Sequence, residues 1–136
     1  FSGGAERALM HGHTFCGHAL GAAVAREGLA IYRDENVLEG IDARASMIAS
    51  WTDSLRELPV VKGARALGMI GAVDLGDVGY GGNGIGLRIC TEAARRRIHM
   101  RPLGDTIYIT PRLNVPLDEL SWLLDGIEET LREMHG

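Results

Sequence analysis

The amino-acid sequence predicts an α+β fold, a small, largely antiparallel sheet covered by helices on one side. Two observations carry this expectation. Val37, Leu38, Ile41, Ala45, Ile48, Trp51 and Leu55, and again Leu120, Leu123, Leu124, Ile127, Leu131 and Met134, recur mostly at steps of three and four, the spacing of one buried helical stripe. Between them, Thr106-Ile107-Tyr108-Ile109-Thr110 has the clearest β composition in the chain. Read in order, the elements are helix, helix, strand, helix, strand, strand, helix. A length of 136 residues, 46% of them hydrophobic, suits one domain with a real core.

The first helix is expected over residues 17–32, opening on the alanine-rich run Ala19-Leu20-Gly21-Ala22-Ala23-Val24-Ala25 and broken by Arg33-Asp34-Glu35-Asn36. Pro59 ends the second, because proline disfavours helical geometry in the residue before it. Residues 66–75, ALGMIGAVDL, read as one buried strand between turn signals. A glycine-dense loop follows, then a helix over 84–98 with Leu87, Cys90 and Ala94 on one side. Residues 98–101 re-enter a sheet, Pro102-Leu103-Gly104-Asp105 turns, and the Thr106 strand pairs back as a hairpin. Pro116 suits the first turn of the last helix, and Asp118 and Glu119 complement its dipole.

Composition removes several functions. A net charge of −4 argues against nucleic-acid binding as the main task, which needs a basic face. The Arg95-Arg96-Arg97 cluster falls where a helix should end and has its explanation there. No apolar run approaches the ~20 residues that cross a bilayer, and no charged-then-apolar leader opens the chain. Two cysteines, Cys16 and Cys90, make no disulfide framework and fit a reducing cytosol. The chain opens on Phe1 just before a chemically dense stretch, so it is expected to be part of a longer one.

That stretch is His11-Gly12-His13-Thr14-Phe15-Cys16-Gly17-His18. Directly before a helix start, the Thr14 hydroxyl and unsatisfied backbone N–H groups suit an anion or phosphate; the competing reading is that Thr14 is a plain N-cap. His11, His13, Cys16 and His18 make a poor metal set, since four ligands within eight residues of one loop rarely converge tetrahedrally. Gly79-Tyr80-Gly81-Gly82-Asn83-Gly84 matches G-x-G-x-x-G, yet it sits in a long loop before hairpin-like strands rather than in a βαβ unit, so dinucleotide binding is not expected. Arg101 precedes the rigid Pro102 turn, where a planar guanidinium suits bidentate carboxylate recognition with the Tyr108 phenol nearby. Pairing of Arg101 with Asp105 or with a helix carboxylate is the alternative.

Several stretches in register then resemble a known family: residues 11–17 and 20–25, Gly68-Met69-Ile70-Gly71-Ala72-Val73, and Arg101-Pro102-Leu103-Gly104-Asp105-Thr106-Ile107-Tyr108. They resemble the C-terminal third of class III pyridoxal-phosphate aminotransferases. The Arg-Pro-x-Gly-x-x-Ile-Tyr run is similar to the biotin-pathway branch, in which S-adenosylmethionine gives its amino group to 8-amino-7-oxononanoate. The resemblance implies the C-terminal small domain of a fold-type I transferase over residues 17–136, preceded by a cofactor-phosphate loop over 1–16 that leads out of a large domain.

It further implies a cytoplasmic homodimer in which Thr14 donates to the cofactor phosphate across the interface, with Gly12, His13 and Phe15 shaping the loop. Arg101 would receive the substrate carboxylate, and Tyr108 would line the same pocket. The family has Asn-Pro where this chain has His18-Ala19. Its Schiff-base lysine, the acidic partner of its pyridinium nitrogen and its ring-stacking aromatic lie upstream of the His-Gly-x-Thr motif. The only lysine here, Lys62, falls in a predicted surface loop. The chain by itself is therefore expected not to catalyse transamination. Another class III enzyme that uses an ω-amino donor, and a binding module that keeps the fold without catalysis, are the other readings.

Overall fold

The computed structural model of the chain describes residues 3–76 and 84–134. Contacts divide the chain into two compact units, Phe1–Asn36 and Val37–Gly136. The first holds a single 3-10 turn, Ala5–Arg7, and helix α1, Ala19–Asp34. The second holds α2 (Ile41–Leu55), β1 (Gly63–Leu67), β2 (Ile70–Asp74), α3 (Ile85–Arg95), β3 (Thr106–Ile109) and α4 (Leu117–Glu133).

In the second unit the strands form one antiparallel sheet in the order β1-β2-β3. Ala64, Val73, Ile107 and Ile109 are buried on one face, whereas Leu67, Ile70 and Tyr108 are exposed on the other. The period-two alternation thus gives the sheet one helix-covered side. Ile48 of α2, Ile89 of α3, and Leu120, Leu124, Ile127 and Leu131 of α4 complete the core with these strands. Helix α2 comes so close to β2 that a Cβ on Gly71 would lie 2.9 Å from Ile48 Cγ2. The Arg44 Nε–H donates to the Val115 carbonyl at 2.6 Å, tying α2 to the entrance of α4. The Arg56 guanidinium, just past the end of α2, donates to the Ala64 carbonyl on β1.

The α+β class and the amphipathic helices α2 and α4 match the sequence expectation, with two corrections among the strands. The run expected as one strand over 66–75 is a hairpin, β1 and β2, closed at Gly68-Met69. Gly68 has φ +53°, the positive value that primed hairpin turns need at the first loop position. Residues 98–101 are not a strand, and β3 pairs with β2 instead, Val73 opposite Ile107. Ile98 closes the end of α3: its N–H donates to the Ala93 carbonyl at 3.0 Å, and Arg97 before it has φ +65°.

Smaller shifts occur at the ends. Helix α1 starts at Ala19, α2 at Ile41 and α3 at Ile85, and Pro116 is the N-cap of α4 rather than a residue of its first turn. Of the G-x-G-x-x-G run, positions 79–83 lie outside the described residues, and Gly84 is the N-cap of α3. No helix among the described residues is long and apolar enough to cross a membrane.

Candidate functional site

Two clusters carry the chemistry, one in each unit. In the second unit, His99, Met100, Arg101, Tyr108, Thr110, Pro111 and Leu123 line a cleft of about 330 Å³. Arg101 and Tyr108 reach it from opposite sides of the turn at residues 102–105. Leu103 and Thr106 close that turn with reciprocal backbone hydrogen bonds of 2.8 and 3.1 Å, and Gly104 takes φ +61° within it. Arg101 is exposed and has no ion pair or hydrogen bond among the described residues. The alternative pairing with Asp105 is absent, since that carboxylate is buried and its Oδ1 accepts the Gly86 N–H at 3.1 Å. An unpaired guanidinium beside a phenol and an apolar wall is suited to an aliphatic ligand that ends in a carboxylate.

Behind Tyr108 the outer face of the sheet is pinned. Thr106 Oγ1 donates to Asp74 Oδ1 at 2.7 Å, and Arg65 pairs with the same carboxylate. Burial alone would raise the Asp74 pKa, but the Thr106 hydroxyl and the Arg65 guanidinium outweigh it and hold the group below the ordinary carboxylate value. Sequence reasoning missed this cluster because its members come from three strands whose pairing is set by long-range contacts. It also passed over His99, Thr110 and Leu123 as cleft residues. The β3-to-cleft sequence shows Thr110 two positions beyond Tyr108, the one signal that could have found it.

In the first unit the stretch 11–18 forms a turn leading into α1. Cys16 N–H donates to the His13 carbonyl at 2.9 Å, His18 N–H to the Phe15 carbonyl at 3.1 Å, and His13 N–H to Cys16 Sγ at 3.1 Å. The His11 and His13 rings meet edge to face at 4.9 Å, and those of Phe15 and His18 at 5.9 Å. Thr14 is not the N-cap; His18 is, its Nδ1 accepting the Gly21 N–H at 2.9 Å. Thr14 therefore stands four residues ahead of the cap, with its hydroxyl, its N–H and the Phe15 N–H unpartnered among the described residues.

Nothing lies within 4 Å of where a Gly12 Cβ would be. Exposed donors around an open backbone fit a phosphate, supplied here by the turn rather than by the helix terminus. Among the described residues no three His, Cys, Asp or Glu side chains come together as a metal site. Burial pushes the Cys90 thiol up, so it behaves as a small core residue.

The fold is that of a transferase domain: residues 2–131 match the class-III aminotransferase family, and the chain belongs to it. Over 136 aligned residues it is 32% identical to the adenosylmethionine-8-amino-7-oxononanoate aminotransferase of Geobacter sulfurreducens, covering 96% of this chain and 30% of that one. It is 31% identical over 122 residues to the putrescine–pyruvate aminotransferase of Pseudomonas aeruginosa, covering 85% of this chain and 27% of the relative. An amine transaminase from an uncultivated Pseudomonas species, solved with pyridoxal phosphate bound, superposes with a TM-score of 0.83 at 25% identity, over 98% of this chain and 31% of that chain. The chain thus spans about 30% of the length of the relatives it matches. Pyridoxal phosphate is the cofactor these likenesses indicate.

Proposed function

We propose that the chain is the C-terminal part of a homodimeric, cytoplasmic aminotransferase of biotin biosynthesis that moves the amino group of S-adenosylmethionine to 8-amino-7-oxononanoate. The observation that carries the substrate reading is Arg101, exposed and unpaired beside Tyr108 in the cleft. Its planar donors match both oxygens of the keto acid's carboxylate, while Met100, Pro111 and Leu123 offer apolar surface to the aliphatic chain. The Tyr108 phenol adds one donor in the same cleft.

Thr14 would grip the cofactor phosphate held by the partner subunit through its hydroxyl, helped by the Phe15 N–H, with Gly12 and His13 setting the loop's path. Pyridoxal phosphate, when bound, supplies the electron sink and the amino carrier. The covalent anchor and proton shuttle must be a lysine outside these residues, because Lys62 is exposed ahead of β1. The 136-residue chain is accordingly inactive alone.

The intact mass of the polypeptide as its source makes it is the first test. A chain several times heavier than 14.7 kDa with pyridoxal phosphate on a lysine supports the reading, and a native species at 14.7 kDa overturns it in favour of a binding module. In the full protein, Arg101→Ala should raise KM for 8-amino-7-oxononanoate at least tenfold, and Thr14→Ala should weaken cofactor retention about tenfold. The likeness to the putrescine–pyruvate enzyme supports a second reading, an ω-amino acid or diamine transaminase. Turnover of putrescine with pyruvate, and none of 8-amino-7-oxononanoate, would select it.

A further inference from the structure

Asp105 is the most deeply buried carboxylate among the described residues, at 2% exposure, and nothing in the proposed function uses it. Its Oδ1 accepts the Gly86 N–H, while its Oδ2 is buried with no hydrogen-bond partner among the described residues. A desolvated carboxylate is costly unless it holds something in place.

What it holds is the start of α3. The N-cap, Gly84, has no side chain to offer, so the carboxylate reaches a first-turn N–H from 19 residues away. Its own carbonyl accepts the Leu75 N–H at 2.9 Å, which fixes the same residue to the exit of β2. Around it the backbone is packed so closely that side chains are excluded. A Cβ on Gly86 would lie 2.5 Å from the Gly104 carbonyl oxygen and 3.1 Å from Pro102 Cβ, and one on Gly76 would lie 2.9 Å from Asp105 Oδ2. The turn that separates Arg101 from Tyr108 is thus clamped between α3 and β2, and Asp105 fastens it to both, through its carboxylate to Gly86 and its carbonyl to Leu75.

We propose that Asp105, seated against Gly86, is a positioning residue that sets the geometry of Arg101 and Tyr108 for the substrate carboxylate. The inference rests on the assignment of Arg101 to that carboxylate. It acts through the turn: without the bond to Gly86 the 102–105 segment loses its tie to α3 and can shift against it, and a bidentate contact tolerates little displacement. Asp105 touches no ligand itself.

The test uses the full-length enzyme as its source makes it, with steady-state kinetics against 8-amino-7-oxononanoate and the amino donor, and thermal unfolding alongside. Asp105→Ala should raise KM for the keto acid about five- to tenfold, leaving KM for the donor within about twofold. Asp105→Asn keeps an oxygen acceptor for the Gly86 N–H and should recover most of the loss. Gly86→Ala keeps the carboxylate but forces the Gly104 carbonyl and the turn away from α3, so it should show the same selective rise in KM, together with a fall in melting temperature.

Equal effects on both substrates, an Asn variant as poor as the Ala variant, or wild-type kinetics in Asp105→Ala and Gly86→Ala would each overturn the positioning role. Arg101→Ala is the control. If it leaves KM for the keto acid unchanged, the carboxylate assignment fails and this inference falls with it. If it raises KM while Asp105→Ala and Gly86→Ala do not, only this inference fails.

Discussion

Helices α1 and α4 are nearly equal in length, 16 and 17 residues, and differ in almost everything else. Helix α4 buries Leu120, Leu124, Ile127, Thr130 and Leu131, whereas no described residue of 3–36 is buried, and Leu20 and Val24 of α1 are 71% and 65% exposed. Local interactions hold α1: an alanine-rich start and the His18 cap. Tertiary packing holds α4. The chemistry divides along the same line. The phosphate-suited turn is built from contacts three residues apart, and the Arg101–Tyr108 cleft from residues brought together by the core.

The sharpest contrast should come from truncating one leucine in each helix of the 136-residue chain. Leu124→Ala should cost about 3 kcal/mol in urea unfolding, and Leu20→Ala less than about 0.5 kcal/mol. Comparable costs would mean that α1 has a buried face in solution. Next, His18→Ala removes the acceptor for the Gly21 N–H and should cost α1 about 1 kcal/mol. Helical circular dichroism should fall while the unfolding midpoint of the Val37–Gly136 unit stays put, and a matching drop in that midpoint would break the comparison.

The smallest effect is electrostatic and belongs to the second unit alone. The folded pKa of Asp74 is lowered, so the stability it contributes is complete above the unfolded value of about 4 and is lost as pH falls through the folded value. Asp74→Asn should therefore flatten the acid limb of a stability–pH curve for the sheet and leave α1 unchanged.

The same divide explains what the sequence made legible. Stripes such as Leu120-Leu124-Ile127-Leu131 are local patterns with a single helical solution, and the structure has them. The β1–β2 hairpin was hidden because Ala66 to Val73 has no polar residue to break it, and Gly68 turns the chain only because its φ is positive. Ile98 was misread for the converse reason: it is β-branched, but it follows Arg97, a non-glycine residue in the left-handed region that no composition rule announces.

At the candidate site, Thr14 and Arg101 were visible as residue types suited to anions, but two details were not. That His18 rather than Thr14 caps α1 depends on a ring nitrogen's reach, and that Asp105 turns away from Arg101 depends on α3 lying across the turn.

The hydrogen bond from Arg56 to Ala64 bears on how the protein behaves in a crowd. With Leu67 opposite Ile70, the backbone groups of Ala64 and Ala66 point away from β2, so β1 is an open rim that could template a strand from another molecule. The guanidinium occupies one of the acceptors such a visitor would need and leaves a positive charge at the rim. Growth of the sheet past β1 is thereby discouraged.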